Sequence, residues 1–252
     1  MEEQTINQPT MSEPATLANI FFEPGRTFES LRIKPKFLMA LLLTLVCSLG
    51  FMALVSQRIN IGDYFVDQMK KSSQYEQMTA EQREPAIKFY KSPAFTGILF
   101  GGIVVGIVGL TFIGGLIYWL AMNAMGGTTT YLRGVSVWVY ATFAPAFISA
   151  IANIIVLLIK SSDDLDAVSI FQKGGLIHAN PTMFLDTSKM PVLHTLLSSI
   201  DLFQIWGIVL AAIGLKVVGK ISTGSAWGIV LVFKLIVVAG SVAMVAIFGN
   251  GS

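Results

Sequence analysis

The sequence predicts an all-α polytopic membrane protein, a five-helix transmembrane bundle with short interfacial helices. Three observations lead there. Of 252 residues, 54% are hydrophobic and only 13% carry charge, against roughly a quarter in ordinary soluble domains. The apolar residues gather into five runs long enough to cross a bilayer, which takes about 20 residues as a helix. The charges fall almost entirely between those runs. A net charge of +2 gives no case for a nucleic-acid partner. One cysteine, Cys47, excludes an intrachain disulfide, and two histidines leave no zinc-ligand pattern. No cofactor or metal is expected.

Residues 1–15 are polar and carry Pro9 and Pro14, which predicts a disordered tail. It is not a secretory signal, because the first apolar run starts only near Phe37 and is too long for a signal core. A membrane domain over 16–248 follows. Its first part, 17–34, predicts an interfacial helix. Pro24 suits a first helical turn, Phe28 and Leu31 share a face, and Pro35 ends the segment. The basic residues Arg26, Arg32, Lys34 and Lys36 make a cluster suited to a membrane surface.

The five spans are expected at about 37–56, 94–125, 134–159, 193–216 and 226–248, with outer loops 57–93 and 160–191. The first loop holds six basic and five acidic residues and reads as a solvated cap. Within it Ile61, Phe65 and Met69 recur at helical spacing, and Thr79 with Gln82 is a capping-box pair. The second span is uncharged and rich in glycine. Gly97, Gly101, Gly102 and Gly106 lie at four-residue spacings that let helix backbones approach closely in lipid. Pro145 is expected to kink the third span. The second loop carries Asp163, Asp164, Asp166 and Asp186, without the spacing of a calcium loop.

Basic residues close to span ends in short segments favour the cytoplasmic side. Arg26 to Lys36, Arg133, Lys216 and Lys220 therefore place the amino terminus inside and the carboxyl terminus outside.

Polar residues inside spans are the candidate functional residues, because an intramembrane charge costs ~2.5–3.5 kcal/mol on insertion scales. Asp201 lies near one end of the fourth span, Lys234 inside the fifth, Asn153 near the end of the third, and His194 two turns before Asp201. Under the predicted topology Asn153 and Asp201 lie at similar depth. Lys234 is ~8–10 Å deeper at 1.5 Å per residue, within partial reach of a snorkelling stem. Two roles stay open beside a third reading, in which the fourth helix lies near the outer interface and Asp201 is simply hydrated. One is an Asp201–Lys234 or Asp201–Asn153 pair that fixes helix register. The other is a site for a proton, ion or lipid head group.

Two stretches carry a resemblance. Phe21-Phe-Glu-Pro-Gly-Arg-Thr-Phe-Glu-Ser-Leu-Arg32 is similar to the segment that leads into the first span of bacterial Yip-domain proteins. Asp201-Leu-Phe-Gln-Ile-Trp206-Gly-Ile-Val-Leu-Ala-Ala-Ile-Gly-Leu215 resembles their fourth-span signature. The resemblance covers about residues 16–248. It implies a five-span fold with a cytoplasmic amino terminus in the cytoplasmic membrane, and it supplies no catalytic residues. Eukaryotic members (Ypt/Rab-interacting membrane proteins) are linked to small GTPases, vesicle traffic and membrane shaping. The long outer loops depart from the compact eukaryotic pattern.

Three function classes follow. The first is a non-enzymatic scaffold or adaptor that contacts the lipid bilayer and other membrane proteins or itself. The second is a small transporter or ion- or proton-conducting protein using Asp201, Lys234, Asn153 and His194. The third, a membrane enzyme, lacks any nucleophile–base, paired-acid or metal-ligand pattern.

Overall fold

The computed structural model describes residues 10–171, 175–177, 179–184 and 190–248. Among them the secondary structure is entirely helical: twelve α-helices and two short 3-10 turns, Ser162–Asp164 and Pro181–Phe184. The helices are α1 (Glu13–Asn19), α2 (Pro24–Ile33), α3 (Leu38–Arg58), α4 (Ile61–Lys70), α5 (Ser73–Gln77), α6 (Ala80–Tyr90), α7 (Pro93–Ala124), α8 (Tyr131–Ile159), α9 (Ala167–Phe171), α10 (Pro191–Ser198), α11 (Leu202–Gly219) and α12 (Thr223–Phe248). Helices α3, α7, α8, α11 and α12 are long and apolar enough to cross a membrane. Their large exposed side chains, such as Val105, Leu110, Leu235 and Ile236, suit hydrocarbon surroundings. Hydroxyls on the spans bond back to their own helix: Ser136 to Leu132 O and Thr142 to Trp138 O, each at 2.9 Å. No polar hydrogen is thereby left facing lipid at these positions.

The chain divides into two compact units. The first comprises Met1–Leu43, Gly109–Pro145 and Trp206–Val232. Here the structure corrects the reading of residues 1–34. Residues 1–9 lie outside the described residues, but helix begins at Glu13, inside the predicted tail. Ser12 caps it, its Oγ accepting from Ala15 N at 3.3 Å, and Pro14 occupies the first turn. Helices α1 and α2 do not simply lie on a surface. Ile20, Phe28 and Leu31 are fully buried in the first unit's core. The Phe28 ring sits against α11, where a Cβ on Gly214 would fall 2.8 Å from Phe28 Cε1. Phe21 packs its ring between Phe143 and Trp206, with centroids 6.1 and 6.0 Å away.

The rest of this unit is held by glycine contacts. On α7 and α8, Gly115 and Gly134 bring two backbones together. A Cβ on Gly134 would lie 2.5 Å from Gly115 O, and one on Gly115 would lie 2.7 Å from Val135 Cα. Gly114 lies under the Trp138 indole. The turn between these helices is closed by Gly126 at φ 84° and by Gly127 N donating to Met122 O at 2.9 Å. Asn123 then accepts from Thr129 N at 3.1 Å, and Trp119 Nε1 donates to Thr129 O at 3.0 Å.

Helix α8 continues through Pro145. The proline removes one donor from the ladder. Gly207 of α11 faces that place, since its Cβ would meet Ala141 O at 3.4 Å and Pro145 Cγ at 3.6 Å.

The second unit comprises Thr44–Val108, Ala146–Ile205 and Phe233–Ser252. The segment read as a solvated cap folds into three short helices. Asn60 caps α4 by accepting from Asp63 N at 3.2 Å, and Thr79 with Gln82 forms the expected capping box on α6. The spacing of Ile61, Phe65 and Met69 gives α4 an apolar face. Phe65 meets Phe95 at 5.0 Å and Phe171 at 5.6 Å, around buried Met52 and Ile61. Val55, Leu157 and Ile170 form a neighbouring buried group. Gly62 permits the close approach of α4 and α6, since a Cβ there would lie 2.9 Å from Tyr90 O.

Candidate functional site

The fourth span is not one helix. A continuous helix over 193–216 is replaced by α10, ending at Ser198, and α11, starting at Leu202. Asp201 sits in the break and explains it. Its Oδ1 accepts from Phe203 N at 2.9 Å and Gln204 N at 3.3 Å, the geometry of an N-cap. Leu202 N donates to Ala179 O at 3.0 Å. The first three amides of α11, which have no acceptor within the helix, are thus all satisfied. A carboxylate at a helix N-terminus also faces the positive end of the helix dipole.

Lys234, on α12, donates from Nζ to Gln204 Oε1. Gln204 is one turn beyond Asp201. The direct Asp201–Lys234 and Asp201–Asn153 pairs considered from sequence are therefore not the ones formed. The short side chain of Asp201 is committed to its own helix, and Gln204 supplies the oxygen that reaches the ammonium. Gln204 was missed because it is uncharged. Its signal was its position, three residues after the aspartate in an otherwise apolar run.

Asn153 works elsewhere. It is 4% exposed, and its Oδ1 accepts from Leu176 N at 2.5 Å and Ile177 N at 3.1 Å. Its Nδ2 donates to Ser149 O at 2.8 Å. It clamps the second loop to α8. Gly175 makes room for the clamp, because a Cβ there would fall 2.7 Å from Asn153 Oδ1. His194 is half-buried on α10, and its imidazole has no hydrogen-bonded partner among the described residues. The four candidates thus resolve into Asp201, Gln204 and Lys234 together, with Asn153 and His194 apart from them.

Two acidic residues of the second loop, Asp164 and Asp166, are turn-forming. Asp164 accepts from Ser161 Oγ and Asp166 from Ser169 Oγ, both at 2.6 Å. Asp186 lies outside the described residues. No cluster of metal-ligating side chains occurs among the described residues.

The basic cluster is divided among different tasks. Arg26 pairs with Glu23 at 2.8 Å on the surface. Lys36 donates to Met11 O, tying the start of the described chain to the end of α2. Arg32 is half-buried and Lys34 exposed. The glycine row Gly97, Gly101, Gly102 and Gly106 has open space where each Cβ would stand. Close packing within the chain is carried instead by Gly114, Gly115, Gly134 and Gly214.

Five apolar helices, a capped break in the fourth and an amino-terminal helix pair with one buried face define an all-α multi-pass integral membrane protein. A family model for the Yip1 domain matches residues 18–246, and the chain belongs to that family. It is similar to the "Membrane protein YknW" of Bacillus subtilis (strain 168), with 28% identity over 237 residues, covering 91% of this chain and 92% of the relative. No solved structure matches it.

Proposed function

We propose that this chain is a non-enzymatic scaffold or adaptor of the cytoplasmic membrane, acting through helix–helix and lipid contacts. The supporting observation is the glycine row of α7. A Cβ on Gly97, Gly101, Gly102 or Gly106 would meet no other part of the described residues within 4 Å, although each glycine costs helix stability relative to alanine. A second helix, from another membrane protein or another copy, can approach such a backbone closely.

The test is mass measurement of the purified chain in lipid nanodiscs, with Gly101→Leu/Gly106→Leu beside it. The wild type should carry a protein partner or a second copy, and the double variant should lose it. A strictly monomeric, partner-free wild type counts against the reading.

Transport through Asp201 and Lys234 is less well supported, because both groups are engaged in capping and in the Gln204 bond. The amino terminus is assigned to the cytoplasmic side by the basic residues near span ends. In a Cys47→Ala background, a cysteine placed at Ser73 should react with an impermeant maleimide in intact cells, and one at Ser222 should not. The reverse pattern inverts the topology.

A further inference from the structure

We infer that the second unit carries a phospholipid head-group site, built for a phosphate diester, at the end of the first span. A cavity of about 530 Å³ opens there, lined by Gln57, Arg58, Asn60, Gly62, Lys91 and Thr96 among others. Arg58 is in the last turn of α3, and Thr96 is in the first turn of α7. The cavity therefore lies where one apolar run ends and the next begins, which is the level at which lipid phosphates sit.

Its chemistry favours an anion. Arg58 spends one donor, Nη1, on Lys160 O at 3.3 Å. A guanidinium has five donors in a planar fork that matches phosphate oxygens. The lining also includes the start of α4, a ten-residue helix. Asn60 caps only the Asp63 amide there, so the amides of Ile61 and Gly62 have no acceptor among the described residues and add the positive end of a helix dipole. Lys91 is held at 2.6 Å by Asp63, so its charge is offset by that carboxylate. Arg58 remains the charge available to a ligand. The site does not depend on what the α7 glycine row meets.

Native mass spectrometry of the full chain, extracted in detergent and titrated with phosphatidylglycerol or phosphatidylcholine, tests this. Retention of phosphatidylglycerol should fall about tenfold in Arg58→Gln, the size of effect a charge-assisted bond supports. Asp63→Asn, which frees Lys91, should raise retention. Equal retention by wild type and Arg58→Gln overturns the site. Displacement of the lipid by millimolar inorganic phosphate also overturns it, making the ligand the free ion. Should Arg58→Gln not extract as a folded chain, Asp63→Asn decides alone, and unchanged retention overturns the proposal.

Discussion

Gly134→Ala is expected to destabilise the protein by about 1–3 kcal/mol, the usual range for overpacking. The added methyl would stand 2.5 Å from Gly115 O, 2.9 Å from Trp119 Cβ and 3.0 Å from Trp119 N. Two of those atoms are helix backbone, which cannot rotate away as a side-chain tip can. Alanine gains up to about 1 kcal/mol of helix propensity over glycine, and the clash outweighs that gain. Gly50→Ala isolates the propensity term, since its Cβ meets nothing within 4 Å on α3. Thermal unfolding in detergent should place the Gly134 variant below wild type and the Gly50 variant at or above it. Equal midpoints for the two would show that the close approach of α7 and α8 is not structurally required.

Asn153→Leu is expected to cost about 2–5 kcal/mol. The half-buried amides of Leu176 and Ile177 both donate to Asn153 Oδ1, which is itself 4% exposed, and each donor left without an acceptor there costs about 1–3 kcal/mol. Asn153→Asp keeps the acceptor while losing the donor to Ser149, so it should fall between. Asp201→Ala, measured alongside, should cost only about 0.5–2 kcal/mol, the range for losing a helix cap. Asp201 is only half-buried, and water can replace it. Hydrogen exchange gives the local readout. Faster exchange at Leu176 and Ile177 in the leucine variant is expected, and unchanged protection there would refute the clamp.

These contrasts show what was legible from residues alone. The spans were visible because hydrophobic length is a local, summed property. The capping pair Thr79–Gln82 and the Ile61–Phe65–Met69 spacing located α6 and α4 for the same reason. Long-range choices were not local. Nothing near Phe28 says that its ring ends against Gly214, so the buried face of the α1–α2 pair was not legible. Ser12 before Glu13-Pro14 is a readable cap, and it marks where helix begins inside the expected tail.

Asp201 shows the same limit in the site. Its rarity in an apolar run was obvious, and its partner was sought among charges at matching depth. The carboxylate instead satisfies amides two and three residues away. The row Gly97, Gly101, Gly102 and Gly106 and the later Gly114 and Gly115 lie on the same α7, and sequence alone does not reveal that only the latter two meet a second helix among the described residues.

The break at Asp201 also sets a length. Helix α11 has 18 residues, or about 27 Å at 1.5 Å per residue, slightly less than the ~30 Å hydrocarbon thickness of a typical bilayer. Helix α7 has 32 residues, about 48 Å on the same measure. Lipid beside α11 meets a span too short for it, and lipid beside α7 meets one too long. Each mismatch is relieved by thinning or tilt at a fraction of a kcal/mol per ångström. An N-cap that starts the helix at Leu202 thereby leaves this span about 3 Å short of the hydrocarbon core of a typical bilayer.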